Sequence, residues 1–326
     1  MRIRFALAAA AAATALVAGC SSDDGTTEST SGESVTVEHV FGSTTIDGTP
    51  ERIVATSGQW VDALIEFGVQ PVAYLSAGSM GDERGLFPWQ QNVAADAIAL
   101  DDTALLTGGD LPVEEIASLQ PDLVLGSWLV DSETDFDTLS AVAPTVAPLS
   151  ETGVDRWDDQ VRVLGEILGR SDDAETIIAD REAEIAAAAL PGLAGRTGVL
   201  SQYMFGQGQF VVVADPNDGA AALFEQLGMT LPPSLVEEAG ISQGRLMFSP
   251  ERVDALVADL LIILPNGGTE QDLLALPGFS GLPAVTGGGL AVVDYPTVAA
   301  FNTPSSLSIG YALDTIRPQL EAIAGA

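Results

Sequence analysis

Lysine is absent from this chain of 326 residues, which has 12 arginines against 46 aspartates and glutamates. The formal net charge is therefore −34 at pH 7. Proteins that bind nucleic acid or anionic lipid through charge need clusters of cationic side chains. The composition argues against such a function, and no binding to nucleic acid is expected.

Histidine and cysteine are almost absent, with one residue of each, His39 and Cys20. Protein zinc sites use several cysteine and histidine ligands, so no site of this kind is expected. A single cysteine also excludes an intrachain disulfide framework. His39 falls in a stretch of alternating apolar and polar residues, and we expect it at the surface or at a sheet edge.

The motifs of common hydrolases are missing as well. The sequence has neither the His-Glu-x-x-His motif of zinc proteases nor a Gly-x-Ser-x-Gly nucleophile elbow. A Ser-x-x-Lys nucleophile is impossible without lysine. Carboxylates abound, but no pattern pairs two of them as acid and base. No catalytic residue is predicted, although a hydrolase that uses two carboxylates stays open as an alternative.

The N-terminus carries the most specific signal that is present. Arg2 and Arg4 flank the start of an apolar run over 5–17. Such a run is short for a membrane span and typical of a signal peptide. The letters "LVAGC" follow, end at Cys20, and match the lipobox of bacterial lipoproteins. We predict a signal peptide over 1–19 and a lipid on Cys20 that holds the protein at the outer face of the cell membrane.

Strand and helix patterns alternate along the rest of the chain. Residues 35–48 predict a β-hairpin, because apolar and polar residues alternate on both sides of a Phe-Gly break. Strands such as 122–126 and 259–264 are largely apolar, which is typical of parallel strands covered on both faces. Residues 171–190 contain no glycine or proline and predict one helix roughly 28 Å long.

One unit occurs twice. The letters "PVEEIASLQPDLVL" (112–125) align with "SPERVDALVADLLI" (249–262), so that Glu114 matches Glu251. In each copy a proline suits the first turn of a short helix, and the glutamate follows it. Such a glutamate stabilises the helix dipole by about 0.3–1 kcal/mol, and the sequence alone favours this role. The repeat itself predicts two lobes of related plan.

We therefore predict an α/β fold with two Rossmann-like lobes, each with a central, mostly parallel sheet, joined by one long helix. Ligands of open α/β sheets bind at the carboxyl ends of strands, so the ligand cleft is expected between the lobes. The predicted parts are a signal peptide (1–19), a flexible tether (20–34), an N-terminal lobe (35–170), a connecting helix (171–190) and a C-terminal lobe (191–326).

Several segments resemble one family in order over residues 36–322. They are "TPERIVATSGQWVDALIEFGVQPVA", "VEEIASLQPDLVLGS", "LSAVAPTV" and "SPERVDALVADLLII". The sequence resembles the solute-binding proteins of ABC importers that carry ferric siderophores, haem or cobalamin. Its opening "HVFGSTTIDGTPERIV" is most similar to the iron-siderophore branch. The resemblance implies a rigid connecting helix, limited lobe movement, a shallow cleft and no cofactor beyond the transported ligand.

The resemblance also gives the repeated glutamates a role. In this family one glutamate on each lobe meets arginines of the membrane permease, and by motif these are Glu114 and Glu251. Glu115 is an adjacent candidate, whereas the second copy has Arg252 at that position. The implied protein is a monomer that captures a ferric siderophore and delivers it to an ABC permease. The alternatives are a receptor of the same family for haem or cobalamin and a surface-tethered α/β hydrolase.

Candidate ligand-binding residues follow predicted strand ends or lie in long loops. Aromatic rings suit a large amphipathic ligand, and packing in the core is the alternative role for each of them. The candidates are Trp60, Arg84, Trp89, Trp128, Tyr203, Arg245, Tyr295 and Phe301. A triply anionic catecholate complex needs several cations, and Arg84 and Arg245 are expected near the cleft, with Arg156 as a further arginine that could approach it. This favours a neutral, weakly charged or cationic complex such as a ferric hydroxamate.

Overall fold

The computed structural model describes residues 34–100, 111–126, 128–151, 154–239 and 244–325. The predicted signal peptide, Cys20 and all of the tether except Ser34 lie outside these residues. In the part of the chain that is described, none of the helices combines the length and the apolar character that a membrane span requires.

The described chain begins with a hairpin of β1 (Ser34–His39) and β2 (Gly42–Asp47), which pair antiparallel. Gly42 adopts a φ of 116° in the turn, a conformation that favours glycine. Val37 and Ile46 are buried and join the core of the first lobe. The alternating pattern over 35–48 is therefore confirmed as a hairpin.

His39 is buried, with 9% of its surface exposed, so the expected place at the surface is wrong, whereas the alternative of a sheet edge agrees with its position in a two-stranded hairpin. Its Nδ1 accepts the N–H of Phe41 at 3.3 Å, so Nε2 carries the proton and donates to Thr44 Oγ1 at 3.0 Å. The ring also packs on Phe136, with 4.8 Å between ring centroids. Burial lowers the pKa of His39, and the charge of Glu38 acts against this change. The neutral ring thus fastens the hairpin to the lobe.

The first lobe has a five-stranded, all-parallel sheet in the order β5-β4-β3-β6-β7. Its strands are β3 (Ile53–Ala55), β4 (Ala73–Leu75), β5 (Ile98–Leu100), β6 (Leu123–Leu125) and β7 (Thr145–Val146). The helices up to the connection are α1 (Gly58–Glu66), α2 (Val113–Ser118), α3 (Glu133–Ser140), α4 (Trp157–Ile167) and α5 (Ser171–Ala188). Every residue of β3 and β6 is buried, as the apolar strands predict.

The second lobe repeats this strand order, β10-β9-β8-β11-β12, when each sheet is counted from its own first strand. Its strands are β8 (Gly198–Met204), β9 (Gln209–Val213), β10 (Arg245–Phe248), β11 (Leu260–Asn266) and β12 (Leu290–Val292). Its helices are α6 (Gly219–Gln226), α7 (Pro233–Ala239), α8 (Glu270–Leu274), α9 (Pro283–Thr286), α10 (Tyr295–Asn302) and α11 (Ser308–Ala324). Strand β9 runs antiparallel to both neighbours, whereas β8, β11 and β12 are parallel. The predicted fold of two Rossmann-like lobes is confirmed.

Helix α5 is the long connection that residues 171–190 predict. It has 18 residues, which corresponds to about 27 Å. It packs closely on α4, because a Cβ added to Gly165 would lie 2.6 Å from Cβ of Ala174. Arg181 of α5 pairs with Glu66 of α1 at 3.2 Å, and α5 also packs on α11. The connecting helix is thus bound to both lobes, while the exact lobe boundaries stay a prediction.

The two copies of the repeated unit occupy matching places, because each runs from a short helix into a strand, β6 in the first lobe and β11 in the second. The first copy forms α2, but the second is a 3-10 helix over Pro250–Leu256 that is interrupted at Arg252 (φ −103°, ψ 32°). The Arg252 guanidinium makes two bonds of 2.6 Å to Glu238 and lies over the Phe248 ring. These contacts favour the irregular backbone, which the repeat pattern does not predict.

The aspartate directly before the strand of each repeated unit makes the same kind of hydrogen bond in both lobes. Asp122 accepts the backbone N–H of Arg52 at 2.8 Å, next to the start of β3. Asp259 accepts the backbone N–H of Thr197 at 2.8 Å, next to the start of β8, and pairs with Arg196 at 2.9 Å. Each aspartate thus fixes the entry into the central strand of its own sheet.

Candidate functional site

A cleft of about 950 Å³ lies between the two lobes. Small-molecule sites in proteins usually occupy about 300–1,000 Å³, so the cleft has room for a ligand of siderophore or cofactor size. The first lobe contributes residues 56–59, 61–62, 74–77, 80, 85, 87, 89–90, 128, 149–150 and 154–159. The second lobe contributes residues 215–219, 222–223, 225–226, 244–245, 295, 299, 302–304 and 309.

The first-lobe side of the cleft follows from the parallel sheet. Thr56 and Ser57 come directly after β3, and Ser76 comes directly after β4, so both strands end at the cleft. The Ser57 hydroxyl caps α1 by accepting the N–H of Trp60 at 3.3 Å. Gly85 brings the following loop against Ser76, where a larger side chain would collide with the serine. The loop between β4 and β5 is thereby held over the sheet edge.

Six aromatic residues line the cleft; one is the buried Tyr74, and the other five are called the aromatic wall. They are Phe87, Trp89, Trp128, Trp157 and Tyr295. Phe87 and Trp89 stack with an interplanar angle of 14° and 4.8 Å between ring centroids. Trp128 and Tyr295 are 40% and 39% exposed, which is unusual for rings of this size. Flat apolar faces of this kind suit a large amphipathic ligand.

Four of the predicted ligand-binding residues line the cleft, namely Trp89, Trp128, Arg245 and Tyr295. Two come from the first lobe and two from the second, so the fold brings together residues far apart in sequence. Their contact with a ligand stays a prediction.

Two first-lobe candidates lie elsewhere, which corrects the prediction for them. Trp60 is fully buried on the inner face of α1, and its Nε1 donates to the carbonyl oxygen of Gly126 at 2.6 Å. The Arg84 guanidinium turns back into its own loop and donates to the carbonyl oxygens of Val93 (3.1 Å) and Ala94 (2.6 Å). Both side chains hold structure together and do not line the cleft.

Two second-lobe candidates are also corrected. Tyr203 is the last residue but one of β8, and that strand turns straight back into β9 as a hairpin instead of crossing over through a helix. Its ring therefore packs on Phe205 and Phe210, at 4.7 and 4.6 Å between centroids, in the core of the second lobe. Phe301 is fully buried on α10, where its ring faces Phe224 at 6.1 Å.

Acidic side chains dominate the charge of the cleft. They are Asp62, Asp155, Asp158, Asp159, Asp215, Asp218 and Glu225, against Arg156 and Arg245. Arg156 lies 3.1 Å from Asp158 and 3.9 Å from Asp159. Arg245 lies 2.8 Å from Asp218, and it also donates to the Asn302 side chain at 3.0 Å. Both cleft arginines are therefore neutralised by the protein itself.

Burial shifts the pKa of several cleft groups. It raises the pKa of Asp218, although the nearby Arg245 charge acts in the opposite direction. It also raises the pKa of Asp155, whose carboxylate accepts the N–H groups of Leu149 (2.9 Å) and Ser150 (3.0 Å). Burial likewise raises the pKa of Tyr295, which keeps the phenol protonated at neutral pH.

Among the described residues, no arrangement of side chains supports the binding of a bare metal ion. Within them, no group of three or more histidine, cysteine, aspartate or glutamate side chains is arranged to hold a metal ion. The cleft offers aromatic faces, hydroxyls and carboxylates that are spread over both lobes.

The fold and the cleft can be compared with known proteins. The sequence profile described as periplasmic binding protein matches residues 86–295. The chain belongs to the periplasmic binding protein family. Members of this family are solute-binding proteins, which agrees with a cleft between two lobes of related plan.

Three relatives of this family member illustrate the similarity. "Probable siderophore-binding lipoprotein YfiY" of Bacillus subtilis (strain 168) is 26% identical over 246 residues, which are 74% of this chain and 71% of the relative. The iron(3+)-hydroxamate-binding protein YxeB of the same organism is 30% identical over 161 residues, or 48% of each protein. The crystal structure of a periplasmic solute binding protein from Mycobacterium smegmatis str. MC2 155 has a TM-score of 0.72 and 27% identity, and the match covers 90% of this chain and 99% of that one.

The two repeated glutamates of this periplasmic binding protein are both exposed. Glu114 lies in the first turn of α2, and Glu251 lies in the first turn of the matching 3-10 helix. Arg252, beside Glu251, is paired with Glu238. Neither repeated glutamate lines the cleft, so both are open to a partner while a ligand is bound. Their contact with a permease stays a prediction.

Proposed function

We propose that this protein is the receptor of an ABC importer, which captures a ferric siderophore outside the cytoplasm and delivers it to the permease. The observation that carries the proposal is the cleft between the lobes, which has an aromatic wall with residues from both lobes. Relatives named for siderophore binding and for iron(3+)-hydroxamate binding support it. No enzymatic activity and no resident cofactor belong to the proposal.

The charge of the cleft favours a hydroxamate-type complex. Three hydroxamates neutralise ferric iron, whereas three catecholates leave a triply anionic complex. Such an anion would meet a cleft in which acidic side chains exceed arginines and both arginines are already paired. A neutral trihydroxamate, or one with an ammonium group, meets no such penalty. The predicted arginine Arg84 does not help an anion, because it lies outside the cleft.

A fluorescence titration tests this function. Trp89, Trp128 and Trp157 line the cleft, so a coloured ferric complex bound there should quench their emission. The panel contains a linear ferric trihydroxamate with a terminal ammonium, the same complex with that amine acetylated, a ferric tris-catecholate, haem and a corrinoid. We expect both trihydroxamates to bind more tightly than the catecholate. Quenching by the catecholate alone contradicts the hydroxamate class, and quenching by none of the five overturns the receptor function.

We also propose that the protein works as a monomer held to the membrane by lipid on Cys20. The lipobox motif supports the anchor, and the relative YfiY is named a lipoprotein. In a bacterial host that processes lipoproteins, Cys20→Ala should move the protein from the membrane fraction to the soluble or secreted fraction. Retention of the variant in the membrane fraction would contradict a lipid anchor on this cysteine.

A further inference from the structure

Asp62 is a carboxylate buried beside the cleft, on α1, with 1% of its surface exposed. Three side chains donate to it. Gln90 Nε2 donates to Oδ1 at 2.7 Å, and Trp89 Nε1 donates to Oδ2 at 2.8 Å. The hydroxyl of Ser305, which lies just before α11, also donates to Oδ2. Two donors thus come from the loop between β4 and β5, and the third comes from the second lobe.

Keeping a carboxylate at this position is costly. An ionised group buried without an opposite charge is strongly destabilising, and no arginine lies within ion-pair distance of Asp62 among the described residues. Burial raises the pKa of Asp62 to about 7, although the bonds from Ser305, Gln90 and Trp89 lower it, and the charge of Glu66 adds to the rise. A neutral side chain at this position would avoid this cost. The buried carboxylate is therefore explained by the side chains that its hydrogen bonds keep in place.

The contacts of Asp62 hold part of the aromatic wall. Trp89 stacks on Phe87, and the Phe87 backbone N–H donates to the Gln90 side chain at 3.0 Å. One carboxylate therefore orients both residues that carry and brace the stack. Trp89 also touches Tyr311 of α11, with 5.1 Å between centroids, so the stack leans on the second lobe as well.

A second bond crosses between the lobes one turn away. Gln59 Nε2 donates to the carbonyl oxygen of Pro304 at 2.7 Å, next to Ser305. The segment before α11 is thus tied to α1 twice. The aromatic stack and the tie between the lobes share one group, which is the carboxylate of Asp62.

We propose that Asp62 is a positioning residue for ligand binding, which orients the Phe87–Trp89 stack in the cleft and fixes it to the second lobe through Ser305. The inference rests on the proposed function of the cleft. Because the wall is formed before the ligand arrives, binding does not have to order two large side chains. Replacing Asp62 therefore weakens binding because the aromatic stack loses its orientation. The effect does not come from a contact between the charge of Asp62 and the ligand.

The test uses the mature protein and the linear ferric trihydroxamate with a terminal ammonium. Asp62→Asn keeps the shape but places an N–H donor where Asp62 accepts bonds, so one contact is lost. We expect its Kd to rise about tenfold or more, which corresponds to about 1.4 kcal/mol. Asp180→Asn, an exposed change on α5, is the matched control and should leave Kd unchanged. If the wild type binds and Asp62→Asn binds equally well, the inference fails while the receptor function stands.

A double-mutant cycle separates positioning from general damage. Trp89→Phe removes the indole donor, so if Asp62 acts through Trp89 the second change Asp62→Asn should add at most about threefold to Kd in that background. Full additivity of the two effects overturns the proposal. Thermal unfolding of each variant shows whether the fold is kept.

Ser305→Ala covers the case in which Asp62→Asn does not fold. It removes two hydrogen bonds. One is the bond that Ser305 of the second lobe donates to Asp62, and the other is the bond that Ser305 accepts from the Ser308 N–H at 2.9 Å. We expect weaker binding with the two first-lobe donors still in place. An unchanged Kd for Ser305→Ala contradicts the tie between the lobes.

The pH profile gives a further readout. The ionised carboxylate accepts from all three neutral donors, so the affinity of the wild type should improve as pH rises through about 7. Glu66, one turn along α1, is the charged neighbour that acts on Asp62, and Gln90, Trp89 and Ser305 are uncharged. In Asp62→Asn this part of the profile should vanish. The same profile in wild type and variant overturns the assignment.

Discussion

Trp60 and Trp128 show how differently one residue type is used within a lobe. Each was predicted to bind ligand because it follows a strand. Trp60 is fully buried and donates to Gly126, whereas Trp128 is 40% exposed in the cleft. The pattern before them is the same, and only the turn of α1 points Trp60 inward. Burial of this kind depends on tertiary packing and is not written in local spacing.

Substitution of the two tryptophans should therefore have opposite effects on stability and on ligand affinity. Trp60→Phe leaves a buried carbonyl without its donor, so the free energy of unfolding should fall by about 1–3 kcal/mol with little change in ligand affinity. Trp128→Ala should lower affinity and leave unfolding within about 0.5 kcal/mol of the wild type. Urea unfolding and fluorescence titration measure both. A loss of affinity without a loss of stability in Trp60→Phe would restore Trp60 as a ligand-binding residue.

His39 gives a pH prediction. Burial lowers its pKa in the folded protein below the ordinary value of 6.5, so the unfolded chain binds the proton more readily. The stability due to the neutral ring is present above pH 6.5 and is lost as pH falls below it. Between about pH 7.5 and about pH 5.5, the wild type should lose more unfolding free energy than His39→Gln. Equal losses in urea unfolding would show that His39 stays neutral or exposed.

At the scale of elements, the sequence patterns predict strands and helices well. They predict less well which elements lie next to each other in the fold. The hairpin over 35–48, the long α5 and the two copies before β6 and β11 are confirmed. The ligand rule for strand ends failed at Tyr203, because it presumes a crossover and β8 instead forms a hairpin with β9. The residues "TGVLSQYM" and "GQFVVVA" predict that hairpin. Its consequence for the cleft follows only from the pairing direction.

The packing of α4 on α5 gives a prediction whose sign is unusual. Gly→Ala inside a helix normally stabilises it by roughly 0.5–1 kcal/mol. At Gly165 the added Cβ would lie 2.6 Å from Cβ of Ala174, so Gly165→Ala should destabilise the protein by about 1–3 kcal/mol. Glu166→Ala, at the exposed next position, is the control and should be near neutral. A stabilised Gly165→Ala would mean that the two helices can separate without cost.

At the scale of the whole molecule, the repeat and the apolar strands were enough to predict two lobes and a cleft. They were not enough to predict which loops contribute side chains to the cleft. Asp62 was missed because an acid within the apolar helix pattern "QWVDALIE" looks like a solvent-facing residue. Its partners Trp89 and Ser305 lie far along the chain, so no local pattern links them.

The repeated glutamates give a prediction for the whole transport system. Glu114 and Glu251 are exposed on matching elements of the two lobes and lie outside the cleft. The double variant Glu114→Lys and Glu251→Lys should reduce uptake of the ferric complex at least about tenfold, since like charges would face the permease arginines. Its Kd in solution should not change. Glu237→Lys, an exposed change on α7, is the control. Normal uptake by the double variant would remove both glutamates from the permease contact.

The paired arginines of the cleft have a consequence for kinetics. With Arg156 and Arg245 neutralised and a net charge of −34 around them, the field at the cleft mouth is negative. A ferric complex with an ammonium arm is drawn in by this field, so its association rate constant should fall as ionic strength rises. Its dissociation, governed by contacts inside the cleft, should change little. Under the proposed function, an anionic iron chelate should therefore associate more slowly than the complex with an ammonium arm at low ionic strength.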